Sequence, residues 1–470
     1  DVAITGITAS SGQVRPGDLF AALPGRRCHG AQFAPEALTA GAVAVLSDAS
    51  GAELVPGEAP TVVVDDVRAR LGEVSAEVYG RPSRALPVLG ITGTSGKTTT
   101  TFLVRAGLAA AGRSSGLIGT VATMIGDEAV KTGFTTPEAP DIQALLAVMR
   151  ERGTGAVAME VSSHALAMGR ADGIEFAVGA FTNLSQDHLD FHADMEDYFA
   201  AKTRLFDGRA RVPLIVVDDE WGRRLAAIVG TRAVTVGTSG RDATWRATDV
   251  HVEPDGSTAF RVHGPGGLEL VGGCRVPGAY NVANALLALA VLDAAGVPPP
   301  LAAPAVAAAT VPGRMERIDL GQSFLAIVDY SHKPAAVEGA LRALRPLTKG
   351  RLIIVLGCGG DRDRAKRPLM GAVAARGADV LIVTDDNPRS EDPATIRAAM
   401  LGGVPAHLRE RVREVGDRAE AIDAAVAAAG PRDTVLVAGK GHESGQEVAG
   451  VVHPFDDRDV LRRAIQERLD

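Results

Sequence analysis

The chain has 470 residues, 46% hydrophobic and 23% charged, with a formal net charge of −8. That length exceeds one ordinary core and points to about two to four domains, while the composition excludes a disordered chain. The acidic balance argues against a general nucleic-acid binder, and no apolar run of about 18 residues predicts a membrane span.

Residues 1–85 read as a small α/β unit, in which Val14–Phe20 turns into an apolar run ending at Leu23-Pro24-Gly25. Strands are expected at Ala42–Leu46 and Thr61–Val64, and Gly80-Arg81-Pro82-Ser83 punctuates the chain as a linker. A second region, 86–312, opens with the apolar strand Pro87–Thr92, which runs straight into a Gly-rich turn. A helix from Thr98 to Ala111 follows, then buried strands at Ala156–Val161, Phe176–Thr182 and Pro213–Val217. Short apolar strands separated by helical stretches imply a parallel sheet with helices on both faces. Alternation around Asp255-Gly256, between Trp245 and Leu270, predicts an inserted β-hairpin. Ala279–Ala295 reads as a helix capped by Gly296 and stopped by Pro298-Pro299-Pro300. Region 313–470 repeats strand and helix, with strands at Phe324–Asp329, Leu352–Leu356, Val380–Thr384 and Thr434–Val437, as in a doubly wound, Rossmann-like domain. The expected fold is therefore α/β: a small N-terminal unit, a central parallel sheet with a β insertion, and a doubly wound C-terminal region. Cys28, Cys274 and Cys358 have neither CxxC spacing nor a disulfide framework. With no secretory leader visible, a cytoplasmic protein is expected, and the start at Asp1 rather than Met leads us to expect a short preceding piece.

The strongest chemical signal is Gly93-Thr94-Ser95-Gly96-Lys97-Thr98-Thr99 between a strand and a helix. Backbone N–H groups in such a loop point at phosphate oxygens, and the helix N-terminus adds partial positive charge. Lys97 would reach the β- and γ-phosphates of ATP, and Thr98 would place a hydroxyl on Mg²⁺. Ile91 stands where the strict motif wants its first Gly. Glu160, at the end of a strand, is a hard oxygen donor suited to Mg²⁺. The run Asn183–His192 concentrates Asp187, His188, Asp190 and His192, which argues for metal or substrate contact rather than an ordinary loop. Lys202, judged by its surroundings alone, reads as a solvated helix lysine. Three more strand ends carry Gly357–Arg364, Asp385–Arg389 and Gly439–Glu443, where Arg suits a carboxylate and Glu an ammonium.

In order and over nearly its whole length, the chain resembles the Mur ligases, and among them the MurE type. Thr135-Thr136-Pro137, Glu160–Leu166, Pro277–Asn284 and Asp329-Tyr330-Ser331-His332-Lys333-Pro334 carry the likeness. The resemblance implies ATP-dependent addition of meso-diaminopimelate to UDP-N-acetylmuramoyl-L-alanyl-D-glutamate through an acyl phosphate, in peptidoglycan precursor synthesis. It implies three domains: 1–85, a small α/β domain that binds the UDP-muramoyl group; 86–312, a central P-loop ATPase sheet with a β insertion; and 313–470, a Rossmann-like domain that binds the amino acid. Carried over, Lys97, Glu160, His188 and Lys202 are catalytic, Lys202 as a carbamate. Thr98, Glu160, His188 and Lys202 would serve the metal. Asn281, Arg314, Asp329 and His332 join residues 93–99 as nucleotide contacts. Ser11, Thr135, Thr136, Ser162 and Arg170 match contacts of the UDP-linked dipeptide, although the usual Asp-Ser-Arg reads Ser10-Ser11-Gly12 here. Arg362, Asp386, Asn387, Pro388, Arg389, Gly439 and Glu443 match the diaminopimelate pocket, where Arg389 would repel a lysine ammonium. A monomer is expected. A folylpolyglutamate synthase is a competing reading, against which Arg15–Phe20 and Asp329–Pro334 count. A catalytically dead nucleotide-binding protein is another, against which the complete set Lys97, Glu160, His188 and Lys202 counts.

Overall fold

Alternation of side chains along the first strands sets the N-terminal architecture. In Asp18–Ala21, Leu19 and Ala21 pack on one face with Ile7, Leu46 and Leu71, while Phe20 packs on the other with Ala34, Ala37 and Val45. The computed structural model describes residues 2–25, 27–130, 132–238, 242–253, 256–275 and 278–469. Asp255, at the expected hairpin tip, and Pro277, in the Pro277–Asn284 run, lie outside the described residues.

The chain forms two compact units, the first comprising Asp1–Thr248, Arg261–Gly272 and Ala283–Val306. It holds a four-stranded parallel sheet in the order Gly6–Thr8, Asp18–Ala21, Ala44–Ser47, Thr61–Val63. In the larger sheet, Val88–Thr92 lies between the parallel strands Phe176–Phe181 and Ala156–Glu160. Beyond them come Ala210–Val216 and Val234–Gly237 on one side, and Ser115–Ile118 on the other. All five residues of Val88–Thr92 and of Ala156–Glu160 are buried, as expected of strands covered on both faces. The predicted insertion is larger than a hairpin, since Trp245–Val252 and Thr258–Gly264 are joined by a third strand, Leu268–Cys274. Gly272 and Gly273 disguise that strand; a Cβ on Gly273 would stand 3.1 Å from the Thr258 carbonyl, so the glycine permits a close backbone approach.

The helix Ala279–Ala294 ends ahead of the proline run, as expected, and the run also starts a second helix. Pro299 opens the helix Pro299–Ala308, because a first-turn proline loses no intrahelical hydrogen bond.

The second unit comprises Asp249–Phe260, Gly273–Val282 and Ala307–Asp470. Its six-stranded sheet runs Glu316–Ile318, Leu325–Asp329, Thr434–Ala438, Leu352–Leu356, Val380–Val383, Val412–Glu414, parallel except for the first pair. Ile354, Leu356 and Leu436 face helices Pro334–Leu344 and Lys366–Gly377, while Ile353, Val355 and Val437 face Arg418–Ala428 and Asp457–Leu469. This is the doubly wound arrangement the apolar runs predicted, with polar residues delivered to the C-terminal ends of the parallel strands. A separate hairpin, Gly445–Val448 with Val451–Pro454, was not foreseen.

Candidate active site

The strand Val88–Thr92 ends in Gly93, and the helix Lys97–Ala110 begins four residues later. Gly93 has φ +145°, and a Cβ there would fall 1.9 Å from Thr182 Oγ1, so no side chain fits. Gly96, at φ +87°, lies against Asn284. The turn is braced from the neighbouring strand: Thr94 N donates to Asn183 O at 2.9 Å, and Ser95 N donates to Asn183 Oδ1 at 3.1 Å. Thr182 Oγ1 donates to Ser95 O at 2.6 Å. Thr94 Oγ1 is 3.1 Å from the Tyr198 hydroxyl, whose burial pushes the phenol's pKa up and keeps it neutral.

Two ammonium groups converge on one oxygen of this turn. Lys97 Nζ donates to Gly93 O at 2.9 Å and to Thr94 O at 3.0 Å, and Lys202 Nζ donates to Gly93 O at 2.9 Å. Sharing that oxygen, the two cations lie within about 6 Å of each other, a repulsive arrangement that an anion between them would relieve. Lys202 is not the solvated lysine that its helix suggested. It is 1% exposed, with its ammonium 4.6 Å from the centre of the Tyr198 ring.

Glu160 is also 1% exposed, and its carboxylate is fully engaged. Thr98 Oγ1 donates to both oxygens at 3.0 Å, Thr120 N donates to Oε1 at 2.9 Å, and Thr120 Oγ1 donates to Oε2 at 3.1 Å. A Cβ at Gly119 would come within 2.5 Å of Oε1, so Gly119-Thr120 is shaped to this carboxylate. Sequence reasoning missed that pair; the signal was a Gly-Thr step directly after the strand Ser115–Ile118. Glu160 and Thr98 offer hard oxygens, a donor set that suits Mg²⁺ completed by phosphate oxygens and water. Among the described residues there is no group of three or more His, Cys, Asp or Glu able to hold a metal by itself.

Behind Glu160 lies a polar chain. Thr135 Oγ1 meets Thr120 Oγ1 at 3.0 Å, and Thr136 Oγ1 donates to Glu160 O at 2.9 Å. Ser162 N donates to Thr136 Oγ1 at 3.1 Å, and Ser162 Oγ caps the helix Ser163–Ala167. Arg170 Nε pairs with Glu138 at 2.9 Å, beside Arg68, which pairs with the same carboxylate at 2.6 Å. Arg68 and Glu138 line a cavity of about 250 Å³ together with Thr8, Ser10, Gln13, Leu23 and Asp141. Ser11 stands between two lining residues without lining the cavity itself. Four of the five residues matched to the UDP-linked substrate therefore gather next to Glu160, and Ser11 sits at the cavity's border.

His188 occupies the left-handed region at φ +52°, unusual for a non-glycine residue, with Nε2 3.0 Å from Asp187. Its ring meets His164 edge-on at 4.8 Å, and His164 packs on Phe191 at 4.1 Å. Burial, then the neighbouring His192, holds the His164 ring below its ordinary pKa.

In the second unit, Asp329 Oδ2 accepts from Met315 N at 2.8 Å and Oδ1 accepts from Ser331 N at 2.9 Å, tying the turn after Arg314 to the strand end. The Arg314 guanidinium lies 4.3 Å over the Tyr330 ring, and His332 Nδ1 meets Tyr330 O at 2.7 Å. Burial, then the Lys333 and Lys366 charges among others, takes the His332 pKa down to about 3. Asn281 is buried and hydrogen-bonds Tyr280. At the neighbouring strand ends, Asn387 Nδ2 donates to Glu443 Oε2 at 2.9 Å, while Asn387 Oδ1 accepts from Lys440 Nζ at 2.9 Å and Glu447 N at 3.0 Å. Lys440, within the Gly439–Glu443 run, is fully buried and also pairs with Glu443 at 3.1 Å. Asp386 and Pro388 are buried, Gly439 lies against the Asp386 carboxylate, Arg389 is partly exposed and Arg362 is exposed. A missed guanidinium underlies both loops: Arg418 donates to Asp385 O at 3.2 Å and Ala438 O at 2.9 Å.

Comparison with known proteins agrees with this geometry. Three family descriptions match: "Mur ligase family, catalytic domain" over residues 3–79, "Mur ligase middle domain" over 91–292, and "Mur ligase, glutamate ligase domain" over 313–441. A UDP-N-acetylmuramoyl-L-alanyl-D-glutamate–2,6-diaminopimelate ligase of Streptomyces avermitilis is 57% identical, covering 99% of this chain and 93% of its own length. The ligase of the same name from Streptomyces coelicolor is 58% identical with the same coverage. A solved structure of a ligase of that name superposes with a TM-score of 0.71 at 33% identity, covering 99% of this chain and 96% of its own. The chain belongs to the Mur ligase family.

Proposed function

We propose that the protein is the ATP-dependent ligase that adds meso-diaminopimelate to UDP-N-acetylmuramoyl-L-alanyl-D-glutamate, acting in the cytoplasm as a monomer. The observation that carries the reading is the convergence of Lys97 and Lys202 on the Gly93 carbonyl, ahead of a helix whose Thr98 binds the buried Glu160. Whole-length identity to ligases of that name supports the choice of substrates. No helix among the described residues is long and apolar enough to cross a membrane. We take residues 1–85 to bind the UDP-muramoyl group, 86–312 to bind ATP and 313–470 to bind the amino acid.

In this mechanism the triphosphate lies on the 93–99 turn, with Asn281, Arg314, Asp329 and His332 as further nucleotide contacts. Lys97 leaves the loop carbonyls for the β- and γ-phosphates. The substrate carboxylate oxygen attacks the γ-phosphorus and ADP departs, giving an acyl phosphate. The incoming amine attacks the carbonyl carbon, loses a proton, and the tetrahedral intermediate expels phosphate. Catalysis here is mainly positioning and charge stabilisation. Thr98, Glu160 and His188 would hold Mg²⁺, which supplies charge neutralisation for the phosphates. A carbamate formed from Lys202 and CO₂ would turn the close cation pair with Lys97 into an ion pair and add oxygen donors. Ser11, Thr135, Thr136, Ser162 and Arg170 hold the UDP-linked dipeptide. Arg362, Asp386, Asn387, Pro388, Arg389, Gly439 and Glu443 receive diaminopimelate.

The test is phosphate release by the purified chain with Mg²⁺, ATP, the UDP-linked dipeptide and a panel of amino acids. Release strictly dependent on dipeptide and meso-diaminopimelate is expected; release with lysine or glutamate instead would replace the assignment with another ligase of the family.

A further inference from the structure

The buried Glu160 carboxylate has both oxygens filled by protein donors. Thr98 Oγ1 donates to each at 3.0 Å, Thr120 N donates to Oε1 at 2.9 Å, and Thr120 Oγ1 donates to Oε2 at 3.1 Å. A carboxylate offers about four lone-pair sites, so these contacts leave none over. A cation arriving at Glu160 must therefore displace a donor. The Thr120 N–H is fixed by the backbone, and Thr98 can offer a cation its own oxygen while still donating. The Thr120 hydroxyl has another acceptor within reach, because Thr135 Oγ1 stands 3.0 Å from it.

A hydroxyl carries one proton, which fixes the direction of this chain. While Thr120 donates to Glu160, the hydrogen between the two threonines comes from Thr135. Thr135 then presents only lone pairs to anything else that approaches its oxygen. Once Thr120 turns its proton to Thr135 Oγ1, the Thr135 proton is released to donate outward. Both changes are rotations about Cβ–Oγ bonds, and no proton leaves its oxygen. Neighbouring Thr136 cannot carry the same signal. Its hydroxyl already donates to Glu160 O at 2.9 Å and accepts from Ser162 N at 3.1 Å.

Resting on the function proposed above, we infer that Thr120 is a positioning residue that couples cation binding at Glu160 to the grip of Thr135 on the UDP-linked dipeptide. Without the cation, Thr135 sets lone pairs against a substrate whose carboxylates and carbonyls are themselves acceptors. With the cation in place, Thr135 donates to that substrate instead. Cation and dipeptide therefore strengthen each other's binding by one common factor.

The experiment is calorimetric titration of the full chain with UDP-N-acetylmuramoyl-L-alanyl-D-glutamate, without ATP, in saturating Mg²⁺ and in EDTA at equal ionic strength. Wild type is expected to bind about tenfold or more tightly with Mg²⁺, as gain of a hydrogen bond to a charged group allows. Thr120→Val should lose most of that factor, and Thr120→Ser should keep it. Thr135→Val should weaken binding in Mg²⁺ yet leave binding in EDTA within about twofold, and the double valine variant should add no further loss. If Thr120 merely props Glu160, Thr120→Val weakens Mg²⁺ binding by the free chain and leaves the factor intact, which overturns the inference. Equal weakening by Thr135→Val in both media overturns it too, even should the Thr120 variants fail to fold. Dipeptide binding that ignores Mg²⁺ in wild type sinks the inference alone. A wild-type chain that binds no dipeptide in either medium sinks the proposed function first, and the inference with it.

Discussion

Asp457→Ala should expose how the loops Asp386–Arg389 and Gly439–Glu443, proposed above to receive the amino acid, are held. Arg418 and Asp457 are both fully buried, joined by Nε–Oδ1 and Nη2–Oδ2 bonds of 2.7 Å each. The same guanidinium holds the carbonyls of Asp385 and Ala438, one residue ahead of Asp386–Arg389 and Gly439–Glu443. Removing the carboxylate strands a buried cation on two neutral carbonyls, which costs about 3–5 kcal/mol where one partner of a buried pair is deleted. Against a typical domain stability of about 5–15 kcal/mol, that is a large fraction. Amide hydrogen exchange in the strand Thr434–Ala438 is the assay, and exchange there should quicken by about two to three powers of ten. The double variant Arg418→Met/Asp457→Leu should recover much of the loss, because it leaves no charge behind. It should still bind diaminopimelate poorly, having lost the two carbonyl contacts. Acceleration of less than about tenfold in Asp457→Ala would refute the reasoning, since water would then have to reach the guanidinium.

Lys202→Ala should be inactive in phosphate release and partly rescued by acetate or formate; full activity without rescue would remove the carbamate from the mechanism. Gly93→Ala should lose ATP binding by equilibrium dialysis, because its Cβ meets Thr182 Oγ1 at 1.9 Å at φ +145°, and wild-type affinity would show that the turn can be built otherwise. Mild acid should destabilise the second unit. Burial and nearby cations lower the His332 pKa from 6.5 to about 3, and burial with Arg314 and Arg458 lowers that of His442 to about 4. The unfolded chain binds protons from about pH 6.5 downward while the folded rings stay neutral, so stability rises with pH across that window. Melting of His442→Phe should accordingly depend less on pH between 4 and 6.5 than that of wild type; equal slopes would exclude the His442 contribution.

The sheets were legible because their strands are fully buried apolar runs bounded by Gly and polar residues, as in Val88–Thr92 and Leu352–Leu356. The elements that escaped follow no such pattern. Leu268–Cys274 hides behind Gly272 and Gly273, and Gly445–Val448 is only half-buried, held by what it grips rather than by a core. The Gly93–Thr99 turn and Glu160 could be read locally, because a phosphate loop and a strand-end carboxylate have short-range signatures. Lys202 could not. Its value comes from Gly93, 109 positions earlier in the chain, and the helix around it carries no sign of that contact. The supports Thr120, Lys440, Arg418 and Glu447 were silent for the same reason, since burial of a polar group is a tertiary fact.

The central claim is that the peptide carboxylate is activated by phosphoryl transfer on the turn ahead of Lys97. Dipeptide substrate carrying ¹⁸O in the reacting carboxylate tests it most directly, with the released phosphate read by mass spectrometry. One labelled oxygen per phosphate is predicted, carried over from the acyl phosphate. Unlabelled phosphate formed alongside amide product would contradict the account.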